Sequence, residues 1–214
     1  MVQENELSHI EYNNLLFKRL VLIYDWVALF LLRLRRDMVG RINLPIHSKI
    51  IDIARGTGTQ SIKFAKKGYQ VVGVDISPDM ISRARLKGGE FSKLSFEIGD
   101  AESINYPDSH FDIATLSFAL HDMPDPMRQK VIQEMKRVTK SGGKIIIADY
   151  QKRSNQIARK LIYSITKIWE SRYYEDFLDK GLYYYLVRES IIPYDRECYV
   201  FGEVETVFAH NKKF

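Results

Sequence analysis

A pair of glycines and a set of strand-end acids are spaced in this chain as a nucleoside site would need them. In Lys49-Ile-Ile-Asp-Ile-Ala-Arg-Gly-Thr-Gly-Thr59, Gly56 and Gly58 can take backbone angles that a Cβ forbids, so a ligand can lie directly on the main chain. Asp75 closes the run Gln70-Val-Val-Gly-Val-Asp75, seventeen residues past Gly58. That spacing fits one strand-helix-strand unit, with an acid at the second strand's tip accepting the hydroxyls of a ribose. A dinucleotide turn would want a third Gly or Ala three residues after Gly58, where Ser61 stands instead, and this speaks against a pyrophosphate cofactor. Further along, His121 follows a fourth apolar run, and Asp149 and Tyr150 close a fifth. Imidazole titrates near neutrality, which makes His121 the leading candidate for removing a proton from a substrate.

These residues need a scaffold that brings strand ends together. Ile50, Ile51 and Ile53 read as a strand buried on both faces. Ser61 to Lys67 places Ile62 and Ala65 one helical turn apart, so the glycine turn opens a helix whose free N–H groups face the same ligand. In Ile76-Ser-Pro-Asp-Met80, Ser77 can cap and Pro78 can begin a second helix. Ile76 and Met80 would then lie beside Asp75, where their apolar surfaces could sandwich a purine. Leu94 to Asp100 alternates as a third strand, Ile113 to Ser117 is a fourth, and Lys144 to Tyr150 is a fifth. Val131, Ile132, Met135 and Val138 repeat at helical spacing between the last two. A long helical segment is expected over Ser154 to Lys180. Leu182 to Val187 and Val200 to Ala209 are expected as two further strands, an antiparallel pair. Strands alternating with helices predict an α/β domain with a parallel sheet that binds ligands at its carboxyl edge.

Asp52-Ile-Ala-Arg-Gly-Thr-Gly58 resembles motif I of the class I S-adenosylmethionine-dependent methyltransferases, and within them the ubiquinone/menaquinone-biosynthesis type. Ala54 replaces the usual first glycine, and Arg55 stands where a small residue or Cys is more usual. The resemblance implies a three-layer α-β-α Rossmann-like fold with a seven-stranded, mostly parallel sheet whose last strand is antiparallel. It implies S-adenosylmethionine as cofactor and S-adenosylhomocysteine as its product. Asp100-Ala101-Glu102 resembles motif II, where the carboxylate accepts from the adenine amino group. Carried over residue by residue, the resemblance implies cofactor contacts at Tyr24, Asp52, Ala54, Arg55, Gly56, Gly58, Asp75, Ile76, Met80, Asp100, Ala101, Glu102, Ser117, Phe118 and His121. Amide and DNA methyltransferases usually carry an Asn/Asp-Pro-Pro-aromatic tetrad after the fourth strand. Ser117-Phe-Ala-Leu120 stands there, which points to a different, small-molecule acceptor.

At 214 residues the chain suits one well-buried domain, divided here into a helical lid over residues 1–48 and a core over 49–214. Leu20 to Leu32 is apolar apart from Asp25, but too short for the ~20 residues a bilayer span requires. It is read as a lid helix, with Tyr24 and Asp25 near the pocket. The flanking Arg33, Arg35, Arg36 and Arg41 leave open a helix lying on acidic lipid. A net charge of +5 without clustering argues against nucleic acid as a partner. The single Cys198 suits a reducing cytoplasmic compartment. The scattered histidines have no metal-ligand spacing. The apolar lid and Tyr173, Tyr174, Tyr183, Tyr184 and Tyr185 suggest an aromatic or lipid-like small-molecule acceptor. Two other functions share the scaffold: an NAD-dependent oxidoreductase and a non-catalytic nucleoside-binding protein.

Overall fold

The computed structural model describes residues 32–152, 172–199 and 202–213. The expected lid helix before residue 32, Tyr24 and Asp25 within it, and residues 154–171 of the expected long helix lie outside these. Seven strands form one sheet: β1 (Lys49–Ile53), β2 (Gln70–Asp75), β3 (Leu94–Ile98), β4 (Phe111–Ser117), β5 (Thr139–Tyr150), β6 (Ile191–Tyr199) and β7 (Val204–Asn211). Their order across the sheet is β3-β2-β1-β4-β5-β7-β6. Strands β1 to β5 pair in parallel, and β7 pairs antiparallel with both β5 and β6. β7 is therefore the one reversed strand.

Helices α1 (Leu32–Gly40), α2 (Thr59–Lys66), α3 (Pro78–Gly88), α4 (Asp125–Val138) and α5 (Tyr174–Arg188) flank the sheet. Successive residues of a strand point to opposite faces, and the core divides accordingly. Ile51, Ile53, Leu116, Ile145 and Ile147 pack against Val131, Met135, Phe177, Leu182 and Leu186 of α4 and α5. Ile50, Ile113, Ile146 and Phe208 face the other way, onto Leu34 and Met38 of α1 and Phe64 of α2. The α1 helix thus shares a core cluster with the sheet. The Ser77 side chain accepts from the Met80 amide at 3.4 Å, and Pro78 occupies the first turn of α3, as the sequence predicts.

The C-terminal third departs from the sequence reading. Leu182 to Val187 is helical, the second half of α5, and not a strand. Gly181, at φ 72° and ψ 165°, kinks α5, and beyond it Leu182, Tyr185 and Leu186 are buried at the helical spacings of three and four. The sixth strand is Ile191–Tyr199, and the seventh begins at Val204. β5 also starts earlier than Lys144. Its pairing with β4 jumps from Thr139 to Lys144, leaving a bulge over Ser141-Gly142-Gly143 where Gly142 has φ 76°.

The strand order reverses direction between β1 and β4. In an open α/β sheet this is where the crossover helices diverge and leave a crevice at the carboxyl ends. The residues at or just past those ends are Ala54, Asp75, Gly99, Phe118 and Asp149-Tyr150.

Candidate active site

The crevice holds a cleft of about 830 Å³, open to solvent. Ala54 and Gly56 form its floor, and Asp75, Ile76 and Met80 one wall. Gly99, Asp100, Ala101 and Glu102 line the next side, and Phe118, Ala119, Asp122, Met123, Met127 and Val131 the opposite one. Nine of the residues anticipated for the cofactor therefore share one cavity: Ala54, Gly56, Asp75, Ile76, Met80, Asp100, Ala101, Glu102 and Phe118. Asp122, Met123 and Met127 were not anticipated. Their signal was present in the short segment between the end of β4 and α4, which must pass over the crevice.

Among the described residues, two of the five non-glycine residues with positive φ lie here. Ala54 and Phe118 lie in the left-handed region at φ 49° and φ 55°, conformations that cost non-glycine residues on the order of 1–3 kcal/mol and gather at ligand sites. Gly58 has φ 78° and opens α2; a Cβ on it would stand 2.9 Å from that of Ala84. Its contribution is the shape of the turn, and it lines neither cavity.

Asp75 is buried, and its carboxylate accepts from the amides of Gly56 at 2.7 Å and Ser77 at 3.0 Å. It braces the glycine turn against the tip of β2. Burial pushes its carboxyl above the ordinary range, opposed by those two amides and by Arg55. Asp100 accepts from the Glu102 amide at 2.8 Å, which holds the Asp100-Ala101-Glu102 turn against the cleft.

A second, smaller polar cavity of about 300 Å³ is lined by Arg35, Asp52, Arg55, Thr57, Thr59, Gln60 and Ser117. Three more of the anticipated residues, Asp52, Arg55 and Ser117, are found here. Asp52 accepts from the hydroxyls of Ser61 at 2.5 Å and Thr115 at 2.8 Å. Ser61, the residue that breaks the dinucleotide pattern, thus anchors the acid at the head of the turn. Burial raises the Asp52 carboxyl, and the two hydroxyls and the fields of Arg55 and Arg35 oppose the shift. Arg35, buried on α1, has no sequence signal beyond a run of arginines.

The Arg55 side chain takes no part in lining the large cleft. Its guanidinium lies over the Phe96 ring, 3.9 Å from the centroid, and donates to the Gly56 carbonyl at 3.2 Å. The chain runs across Gly73, where a Cβ would stand 2.2 Å from Arg55 Cδ. A cation is accommodated beside the turn because a glycine on β2 makes room for it and an aromatic face receives it.

His121 sits in a 3-10 turn (Leu120–Asp122) behind the cleft wall. It is buried, and its Nδ1 meets Asp149 Oδ1 at 2.6 Å. Tyr150 and Tyr174 present ring edges or faces to it at centroid distances of 4.8 and 6.0 Å. Behind this group Arg128, fully buried on α4, donates to the Leu120 and Tyr173 carbonyls at 2.9 and 2.6 Å. It also donates to Asp176 at 2.6 Å and the Tyr185 hydroxyl at 2.9 Å.

A parallel sheet with one reversed strand, crossed at its switch point by a glycine turn and two strand-end acids, defines a Rossmann-like domain of the class I methyltransferase architecture. Residues 50–143 match the family model described as methyltransferase domain. The chain is 32% identical over 143 residues to a demethylmenaquinone methyltransferase of Paenarthrobacter aurescens, covering 67% of this chain and 50% of that protein. It is 35% identical over 124 residues to a ubiquinone/menaquinone biosynthesis C-methyltransferase of a Geobacter species, covering 55% and 52%. Among solved structures, an S-adenosylmethionine-dependent methyltransferase from Methanosarcina mazei superimposes with a TM-score of 0.64 at 23% identity, covering 80% of this chain and 95% of that one. One from Aquifex aeolicus superimposes with a TM-score of 0.61 at 19% identity, covering 83% and 89%. These likenesses support a class I S-adenosylmethionine-dependent methyltransferase of the ubiquinone/menaquinone-biosynthesis-like kind. It spans about half the length of the relatives it matches. Family and fold together imply a site for S-adenosylmethionine. Among the described residues no helix is long and apolar enough to cross a membrane.

Proposed function

We propose that this chain is an S-adenosylmethionine-dependent methyltransferase acting on a small hydroxylated aromatic compound, of the demethylmenaquinone kind that its relatives are named for. The observation that carries the reading is the large cleft, where Asp75 and Asp100 converge on an apolar slot floored by a glycine turn. The donor set fits the cofactor. Asp75 would accept from ribose hydroxyls, Asp100 from the adenine amino group, and Ile76 and Met80 would press on the purine face. Asp52 and Arg35 in the adjoining polar cavity offer an anion and a cation for the two charged ends of an amino-acid moiety. When bound, the cofactor supplies an electrophilic methyl group on a sulfonium and leaves as neutral S-adenosylhomocysteine.

The chain's own residues then have to orient the acceptor, exclude water and take up a proton. Orientation alone supplies up to about 7–11 kcal/mol in well-aligned systems. Phe118, Tyr150 and Tyr174 form a continuous aromatic series, with centroid distances of 5.6 Å from Phe118 to Tyr150 and 5.3 Å from Tyr150 to Tyr174. An aromatic acceptor in the cleft would lie against Phe118, with Tyr150 and Tyr174 packed behind it, and His121, within the same cluster, is the proposed proton acceptor. Residues 1–48 are proposed as the lid, with Tyr24 closing on the cofactor, and 49–214 as the catalytic core. Neither the oxidoreductase nor the non-catalytic alternative draws support from the relatives. The fold alone would permit both.

Calorimetric titration with S-adenosylhomocysteine and with NAD tests the cofactor. Incubation with methyl-labelled S-adenosylmethionine and a reduced demethylnaphthoquinone tests the transfer. Binding of S-adenosylhomocysteine alone, with label in the naphthoquinol, is the expected outcome. Preference for NAD, or no binding of either, overturns the reading.

A further inference from the structure

We infer that Asp149 is a positioning residue that fixes His121 in one tautomer, so that Asp149, His121 and Asp122 form a single proton-accepting unit for the acceptor's hydroxyl group. This rests on the reading of the chain as a methyltransferase of hydroxyarenes.

Asp149 is completely buried at the tip of β5. Its Oδ2 accepts from the amides of Leu120 at 3.0 Å and His121 at 3.4 Å, and its Oδ1 accepts from the Tyr150 amide at 2.8 Å. Backbone amides can only donate, and three of them converging on one carboxyl match the acceptor-only lone pairs of a carboxylate. The carboxylate form is the one the surroundings satisfy, and the fourth contact, His121 Nδ1 at 2.6 Å, must then also donate. A neutral imidazole protonated at Nδ1 carries its lone pair on Nε2. Nε2 lies 3.4 Å from Asp122 Oδ2, and Asp122 lines the large cleft. The imidazole therefore has a carboxylate at each nitrogen, one buried and one on the cleft wall.

This arrangement favours gain of a proton. As the acceptor's O–H bond breaks at the cleft wall, the oxygen keeps the electron pair and the proton passes to the Asp122 carboxylate, which hands it on to form an N–H bond at His121 Nε2. The resulting imidazolium lies between two carboxylates in a site largely withdrawn from water, where such fields act strongly. The proton passes to solvent when product leaves. Among the described residues, the phenols of Tyr150 and Tyr174 also face the ring, and Arg128 holds the Leu120 carbonyl of the same turn. Behind Asp149 stands Glu205, its partner across the β5–β7 pair. Glu205 is itself paired with Arg196 at 2.8 Å.

A merely structural pair would staple the turn to β5 and do nothing else, so the test must separate the two. On the full chain, imidazole nitrogen NMR should find His121 protonated at Nδ1 at neutral pH in the wild type and a mixture of tautomers in Asp149→Asn. This arm needs neither donor nor acceptor. S-adenosylhomocysteine affinity should stay within about threefold in Asp149→Asn and His121→Gln. With 1,4-naphthalenediol as the acceptor probe, His121→Gln should lose on the order of 10²- to 10⁴-fold in kcat, the usual span for a general base. Asp149→Asn should lower kcat with little change in KM, and move the rising acidic limb of its pH profile to lower pH, because the imidazolium has lost a stabilising anion. Free imidazole should partly restore His121→Ala. A wild-type proton at Nε2, or a kcat profile identical in Asp149→Asn, overturns the proposal. So does a wild type that binds S-adenosylhomocysteine but methylates no hydroxyarene. Absence of S-adenosylhomocysteine binding instead sinks the parent reading, and the tautomer measurement still decides the pair.

Discussion

Asp75→Asn separates the two duties of one carboxylate. In the folded chain Asp75 receives the Gly56 amide at 2.7 Å and the Ser77 amide at 3.0 Å, and by the proposed reading it also receives ribose hydroxyls. The substitution keeps the shape, removes the charge and turns one acceptor into a donor. For stability, two effects oppose each other. Charge-assisted hydrogen bonds to the amides weaken, while the cost of burying an anion, the largest influence on this carboxyl, disappears. The net change in unfolding free energy should therefore stay within about 1–2 kcal/mol. Ligand binding has no such compensation. Loss of a hydrogen bond to a charged acceptor is worth about 1.5–3 kcal/mol, so S-adenosylhomocysteine should bind roughly 10- to 100-fold more weakly. Calorimetry with S-adenosylhomocysteine, beside urea unfolding without ligand, reads both quantities. Affinity unchanged within threefold in a folded Asp75→Asn chain refutes the ribose assignment. A loss of stability well above 2 kcal/mol would instead show that the bracing of the turn dominates.

Two further outcomes follow from the buried charges. Arg128→Met should destabilise the chain by about 3–5 kcal/mol, the range for breaking a buried charge network, because the Leu120 and Tyr173 carbonyls and the Tyr185 hydroxyl lose their donor; a urea midpoint near the wild-type value would contradict this. The second concerns pH. The Asp52 carboxyl is raised in the folded chain above its ordinary value of 3.8, so the folded state holds that proton more tightly than the unfolded state. Its contribution is fully present below the unfolded value and is lost as pH rises through the folded one. Wild type should therefore gain on Asp52→Asn in unfolding free energy as pH falls from the folded value toward 3.8, and a gap independent of pH in that window would refute the assignment.

Much of the site was legible because it lies on strands whose pattern is strong. Ile50 to Ile53, Val71 to Val74 and Ile145 to Ile147 are short β-branched runs, and an acid or glycine at the end of each marks the carboxyl edge. The direction of Arg55 was not legible. It depends on Gly73 and Phe96, which are brought alongside only by the β1–β2–β3 pairing. The Leu182 to Val187 error arose because tyrosine and valine favour strands, while a kink at Gly181 disguised a continuing helix. Its apolar residues were at helical spacing all the same. β6 escaped notice since Pro193, Asp195, Arg196 and Glu197 make it polar, and its ladder slips between Pro193 and Asp195. Such features belong to an outermost strand. The His121–Asp149 contact joins residues 28 apart, and only the β4–β5 register brings them together.

The insertion of β7 between β5 and β6 bears on how the chain is made. β6 precedes β7 in the chain by a few residues, yet among the described residues it joins the sheet through β7 alone. Until β7 slides in, the flank of β5 and both sides of β6 are open ladders, able to recruit strands from other nascent chains. Assembly of this half of the sheet must await that late wedge, so a chaperone that shields β5 during the delay should raise the yield of active protein more than one acting on the earlier strand-helix units.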